Sequence, residues 1–233
     1  MEPGSRIRRR RRLGWLLGSL FGALALATIL WPGLQRLRAP GPMNVGHADL
    51  ECSSCHRAAP GTTRQQLQAN ARTSIGLRGA YVDFGLQRVT SGDCRSCHDR
   101  PDDRHPVHRF LEPRFAEARA ALSPHECTSC HREHTGRRAT VEPDACKHCH
   151  AELELQHDPV SPPHVELTAA GAWETCLGCH DFHGNHAMAV PTDLRDAIAP
   201  AEIRRYLAGG ESPYAGEIRV PATTPEVVEA RPW

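Results

Sequence analysis

All ten cysteines of this chain fall into one repeated pattern, Cys-x-x-Cys-His. The copies begin at Cys52, Cys94, Cys127, Cys146 and Cys176. They close on Cys55-His56, Cys97-His98, Cys130-His131, Cys149-His150 and Cys179-His180, and no cysteine is left over. Disulfides in an exported protein, paired zinc ligands or thiol redox centres could each use ten cysteines. None of these accounts for a histidine after every second cysteine. With His at 15 of 233 positions, five in five by chance has a probability of roughly one in a million. The pattern is that of covalent c-type haem attachment. Two thiols add to the two vinyl groups of one haem, and the adjacent histidine is held beneath the iron as its proximal ligand.

Composition bears on what could surround such groups. Only 5% of residues are aromatic and 39% hydrophobic, and much of the apolar content lies near the N-terminus. The remainder is rich in Pro, Gly, Arg and His and poor in the residues that build cores. This argues against a Rossmann domain, a barrel or a β-sandwich, and leaves a disordered chain or a scaffold wrapped around cofactors. With its five motifs between Cys52 and His180, the chain resembles the multihaem c-type cytochromes. Its His-rich, short-spaced pattern is similar to that of the class III, low-potential, bis-histidine cytochromes c. The resemblance implies a haem-packed multihaem cytochrome c fold: short α-helices and loops, little or no sheet, and five covalent haems c serving as the core.

The candidates for the distal ligands are the ten histidines outside the proximal set. Residues 127–136 and 176–184 share Cys-x-x-Cys-His-x-x-His followed by Gly, which singles out His134 and His183. A histidine three residues past a proximal one faces away from its own iron and can reach a neighbouring haem. In the class III cytochromes a histidine shortly after the motif often ligates an adjacent haem. His47, five residues before Cys52, is a further candidate, as are His164 at an expected helix start and His105 in a Pro-bounded turn. His148 and His186 are reserves; His108, His125 and His157 rank lower. Met43, near the membrane, is the methionine alternative, and its ligation would raise the potential.

Motif starts are separated by 42, 33, 19 and 30 residues, so haems three and four are expected to be near neighbours. Helices are expected over residues 62–73, 109–122 and 200–208. The second of these has Pro113 in its first turn and Phe115, Ala118 and Leu122 on one face. The expected organisation is a basic cytoplasmic segment at 1–12, a transmembrane anchor or uncleaved signal at 13–31, a pentahaem domain at 32–190 and a Pro-rich C-terminal extension at 191–233. The extension carries one short helix and is otherwise extended or disordered.

Residues 13–31 are nineteen in a row without a charge, bounded by Trp15 and Trp31, and follow five consecutive arginines, Arg8 to Arg12. About 20 residues cross a bilayer, aromatic rings favour its interfaces, and the positive-inside rule holds the arginines in the cytoplasm. Small-residue cleavage patterns around Ala23, Ala25 and Ala27 leave a signal peptide as the alternative. Gly14, Gly18 and Gly22 repeat at the spacing that lets membrane helices approach closely. The rest of the chain is thereby exported, placing it in the periplasm on a bacterial inner membrane.

The function expected is that of a membrane-anchored periplasmic electron carrier, not an enzyme. Quinol dehydrogenase and multihaem reductase are the alternatives; an open or Met-ligated iron would favour the first. From Leu13 onward 22 basic residues face 26 acidic ones, to which ten propionates would be added. The expected partners are therefore redox proteins with basic docking surfaces, the membrane and, on the alternative, quinol; nucleic acid is not expected.

Overall fold

The computed structural model describes residues 3–30, 39–214 and 218–223. The chain divides into two compact units, Met1–Pro42 and Met43–Trp233. The first unit contains one helix, α1 (Pro3–Leu30), which begins with the arginine run and continues as exposed apolar sequence. Among the described residues no helix is long and apolar enough to cross a membrane. The expected span meets this test only in part. Its first turns share α1 with Arg8 to Arg12. Its end, Trp31 and the side chains of Ile29 and Leu30, lies outside the described residues.

The second unit is a succession of short helices and turns: α2 (Thr63–Ser74), α3 (Ser91–Arg95), α4 (Ala116–Leu122), α5 (Cys127–Cys130), α6 (Lys147–His150), α7 (His164–Ala169), α8 (Cys176–Cys179) and α9 (Pro200–Leu207). Among the described residues there is no strand. Isolated bridges join Ala58 to Leu86, Ser161 to Asp193 and His186 to Ile218.

Local chemistry explains where the helices stop and start. Thr62 caps α2 through a reciprocal pair of bonds with Gln65, satisfying two backbone donors that a helix end leaves orphaned. The single helix expected over 109–122 is broken instead. Two 3₁₀ turns, Val107–Leu111 and Pro113–Phe115, precede α4. Pro113 disfavours the helical conformation at the residue before it, and Glu112 sits at ψ 144°. α9 matches the third expected helix and ends at Gly209, whose φ is +111°.

Side chains make little of the interior. Among the described residues the buried apolar ones are Ala59, Phe110, Ala118, Ala139, Cys179, Ile203 and Tyr214, and only Ile203 is fully enclosed. Polar groups do part of the packing. In the 61–86 arm, Gln66 is buried at 5% exposure. Its amide donates to the carbonyls of Ala59, Pro60 and Gly61 and accepts from Gly85 N–H. Asn70 ties α2 to Val82 through both N–H and C=O.

The described part of the C-terminal segment is bonded to the motif-bearing chain. α9 packs on α8 and contributes Ile203. Tyr214 donates to Leu177 O at 3.0 Å, and Thr223 N–H donates to Cys97 O at 2.8 Å. Residues 191–214 and 218–223 therefore belong to one unit with the motifs, with no boundary near 190. The remaining tail positions lie outside the described residues.

Candidate haem sites

Each attachment motif is a single helical turn. The backbone N–H of the proximal histidine donates to the carbonyl of the first cysteine at His56, His98, His131 and His180, with lengths of 2.8 to 3.0 Å. In the fourth copy α6 carries Lys147 to His150 in the same curl. A turn of this kind places two thiols three residues apart, and the imidazole that follows them, on one side of the chain. None of the ten cysteines is paired in a disulfide, so each motif keeps both sulfurs for a haem.

Thiols of different motifs meet in two places. Cys94 hydrogen-bonds Cys127, and Cys146 hydrogen-bonds Cys176. The bond draws one thiol of each pair down, Cys127 to about 6 and Cys176 to about 7, and lifts its partner. The close approaches thus join the second motif to the third and the fourth to the fifth. The third and fourth motifs, separated by 19 residues, are linked through the rings that face them: Phe182 O meets Nδ1 of His105 at 2.6 Å, and the Phe182 ring lies 5.0 Å from that of His183. After His131 the chain turns away to α9, where Arg138 and Ala139 N–H donate to Leu207 O.

The proximal histidines are met by histidines. His56 faces His134 with ring centroids 6.2 Å apart, His98 faces His47 at 6.0 Å, and His131 faces His183 at 6.1 Å. His150 faces His105 at 6.2 Å and His180 faces His164 at 6.1 Å. A metal–imidazole bond of about 2 Å puts a ring centre about 3 Å from the metal, so two rings on opposite sides of one ion stand about 6 Å apart. Five separations agree with that figure to within a few tenths of an ångström. Each pair would present two imidazoles to one haem iron. Among the described residues no three His, Cys, Asp or Glu side chains gather to hold a bare ion.

At six of the ten rings the protein holds Nδ1, which fixes ring orientation. His47 Nδ1 bonds Glu133 at 2.6 Å, His183 Nδ1 bonds Asp103 at 3.0 Å, and His164 Nδ1 bonds Asp158 at 2.9 Å. His105 Nδ1 meets Phe182 O at 2.6 Å, His56 Nδ1 meets Gln87 O at 3.2 Å and His131 Nδ1 meets Arg138 O at 2.9 Å. His134 Nδ1 is buried with no hydrogen-bond partner. Arg100 Nε, His125 Nδ1 and Glu133 Oε2 are buried and unpartnered as well. Arg100 and His125 each lie two residues from a motif, where a propionate could meet them.

Burial pushes His98, His131, His150 and His180 below the usual histidine range. That keeps the imidazoles neutral, as a metal ligand must be. At Glu133 and Asp103 burial opposes ionisation, but hydrogen bonds from His47 and from His183 and His105 N–H outweigh it, and both carboxyls stay below their ordinary range.

Residues 44–151 match the cytochrome c3 family. The match spans the first four motifs and supports a multihaem cytochrome of the c3 type, with covalent haem c and a role in electron transfer. No curated protein and no solved structure matches the chain. The fifth motif lies beyond the matched segment. It is joined to the c3-like part by the His131–His183 pair and by Phe182, whose ring stacks on His105 at 4.2 Å.

The structure brings together every proximal residue and each of His47, His105, His134, His164 and His183. Since all five proximal rings face a histidine, no position is left for Met43. His186 is held elsewhere. Its Nδ1 bonds Asp181 at 2.9 Å, Tyr206 OH meets its Nε2 at 3.1 Å, and Tyr214 stacks on its ring at 4.4 Å. His108, His148 and His157 are exposed. Sequence reasoning missed the carboxylates behind the distal rings. The available signal was an acidic residue beside a candidate histidine (Glu133 next to His134, Asp103 two before His105), but in both cases the partner is a histidine far away in the chain.

Proposed function

We propose that the chain is a membrane-anchored, periplasmic electron carrier with five bis-histidine haems c. The observation that carries this reading is the recurrence of one ring separation, 6.0 to 6.2 Å, at all five proximal histidines. Haems numbered by motif would be closed by His134, His47, His183, His105 and His164 in turn. Bound haem supplies reversible one-electron chemistry at iron. The protein's own part is to hold two imidazoles per site, to orient six of the ten rings through Nδ1, and to keep neighbouring sites close. The meeting of Cys94 with Cys127 and of Cys146 with Cys176 supports close pairing of haems 2 with 3 and 4 with 5.

The quinol dehydrogenase and reductase alternatives each call for an open or Met-ligated iron, and the five histidine pairs favour a carrier. Lys147, the one lysine that could stand in for a proximal histidine, is ion-paired with Asp144. The anchoring rests on the uncharged run and its arginines. The native protein is expected to begin near Met1 and to need detergent; an N-terminus near Thr28 would show cleavage instead.

EPR of the oxidised protein, with intact mass and a haem assay, tests the assignment. Five haems per chain and wholly low-spin iron are expected. Haem 4 should stand apart in g-anisotropy, because the rings of His105 and His150 cross at 87° while the other four pairs lie between 23° and 52°. A high-spin signal in fully matured protein, or fewer than five haems, would overturn it.

A further inference from the structure

The five distal histidines differ in what stands behind them, and the differences sort the sites into two groups. Behind His47, His183 and His164 is a carboxylate: Glu133 at 2.6 Å, Asp103 at 3.0 Å and Asp158 at 2.9 Å. Behind His105 is a neutral carbonyl, Phe182 O. Behind His134 no protein group takes the Nδ1 proton. Of the proximal rings, His56 in one group and His131 in the other both have backbone carbonyls as acceptors.

An Nδ1–H that donates to a carboxylate pushes electron density toward the other ring nitrogen and makes it a stronger base. A stronger donor, with a fixed negative charge behind it, favours ferric over ferrous iron and lowers the reduction potential. A carbonyl does this weakly, and an unpartnered nitrogen not at all. Arg100 acts on both His98 and His131, and Arg104 on His180, in the opposite sense, while Glu133 also reaches His134 through space. These act through space, whereas Glu133, Asp103 and Asp158 are bonded directly to His47, His183 and His164.

We propose that the haems form two potential classes: haems 2, 3 and 5, backed by Glu133, Asp103 and Asp158, are the low-potential set, and haems 1 and 4 the high-potential set. This rests on the bis-histidine assignment. The consequence is a direction of filling. Electrons delivered to the chain collect first at haems 1 and 4, and haems 2, 3 and 5 stay oxidised until those are reduced. The carboxylates are positioning and tuning residues, since they act on iron only through the imidazoles.

The test is a potentiometric titration of the full-length holoprotein in detergent, followed by optical and EPR spectra. Two of five haems should be reduced in a higher step and three in a lower one. Asp158→Asn, Glu133→Gln and Asp103→Asn should each move one haem out of the lower step. At a fixed potential its ratio of reduced to oxidised should rise about tenfold, a shift of about 59 mV for one electron. Asp158→Glu should keep that haem in the lower step. Low-spin spectra with unshifted potentials in all three amide variants would overturn the proposal, as would any wild-type division other than two and three. If a variant fails to mature, the wild-type division decides alone. A high-spin wild type, by contrast, sinks the ligation scheme itself, so the two failures are distinguishable.

Discussion

Residues 127–136 and 176–184 carry the same pattern, Cys-x-x-Cys-His-x-x-His and then Gly, yet their second histidines end in unlike surroundings. His183 lies near Asp103 and beside Arg104, whose N–H donates to its carbonyl at 3.4 Å. Its turn is closed locally, with His183 and Gly184 N–H both donating to Asp181. His134 sits at φ +61° with its Nδ1 buried and unpartnered. Its turn is closed from afar by Asn44, which donates to Arg132 O and accepts from Thr135 N–H and Oγ–H. The shared spacing sends each ring away from its own iron. The packing of distant chain chooses which proximal ring it meets and which charge stands behind it.

The largest expected effect comes from removing either ring. His134→Ala and His183→Ala should each open one iron, giving one high-spin, CO-binding haem in five, with the potential of that haem raised. Optical titration with CO reads both. The comparison says that His134→Ala opens haem 1 and His183→Ala opens haem 3. A variant that stays wholly low-spin and binds no CO marks its residue as a bystander.

Next in size is the remote clamp. Asn44→Ala strips buried partners from the 132–135 turn and should cost about 2 kcal/mol, measured as a lower thermal midpoint. Loss of low-spin signal, if any, should be confined to haem 1. An equal disturbance of haem 3 would erase the distinction between the two turns.

A smaller effect is expected at Gly184, which has φ +71°, and where a Cβ would meet the Arg104 side chain at 2.9 Å. Gly184→Ala should cost roughly 1 kcal/mol or more in backbone strain. It should also shift the haem 3 spectrum by displacing His183. Gly136 has a similar φ of +69°. Gly136→Ala should cost comparable stability and leave haem 3 untouched.

The smallest effect is long-range. From Leu13 onward the chain has 26 acidic and 22 basic residues, and ten propionates add to the excess. Electron exchange with a basic redox protein should slow as salt rises from low to moderate strength. Stopped-flow rates should show the same dependence in wild type, His134→Ala and His183→Ala, because ligation differs among them and the docking charge does not. Salt-independent rates would count against an acidic docking surface.

The five Cys-x-x-Cys-His motifs and their single-turn geometry were legible in the sequence, because each needs only one turn of local chain. Cys127 to His131 contain everything that the third site requires on its proximal side. The absence of an ordinary core was legible too, since so few large apolar residues follow the N-terminal run. The helix expected over 109–122 breaks at Pro113, which pushes Glu112 out of the helical conformation. The five histidines singled out for the distal side could be named from their proximity to motifs, turns and a helix start, but they could not be assigned to partners. His56 and His134 are 78 residues apart and His164 and His180 only 16, and nothing periodic links such distances. Pairing depends on where Asn44, Asp103 and Leu207 hold the loops between motifs, and those contacts exist only once the chain is folded. The motifs themselves were therefore determined by the sequence, through spacings of two and three residues. Which histidine rings face each other, the carboxylates behind them and the neighbourhood of each motif were decided by tertiary packing, because side chains far apart in the chain must converge to within hydrogen-bonding distance.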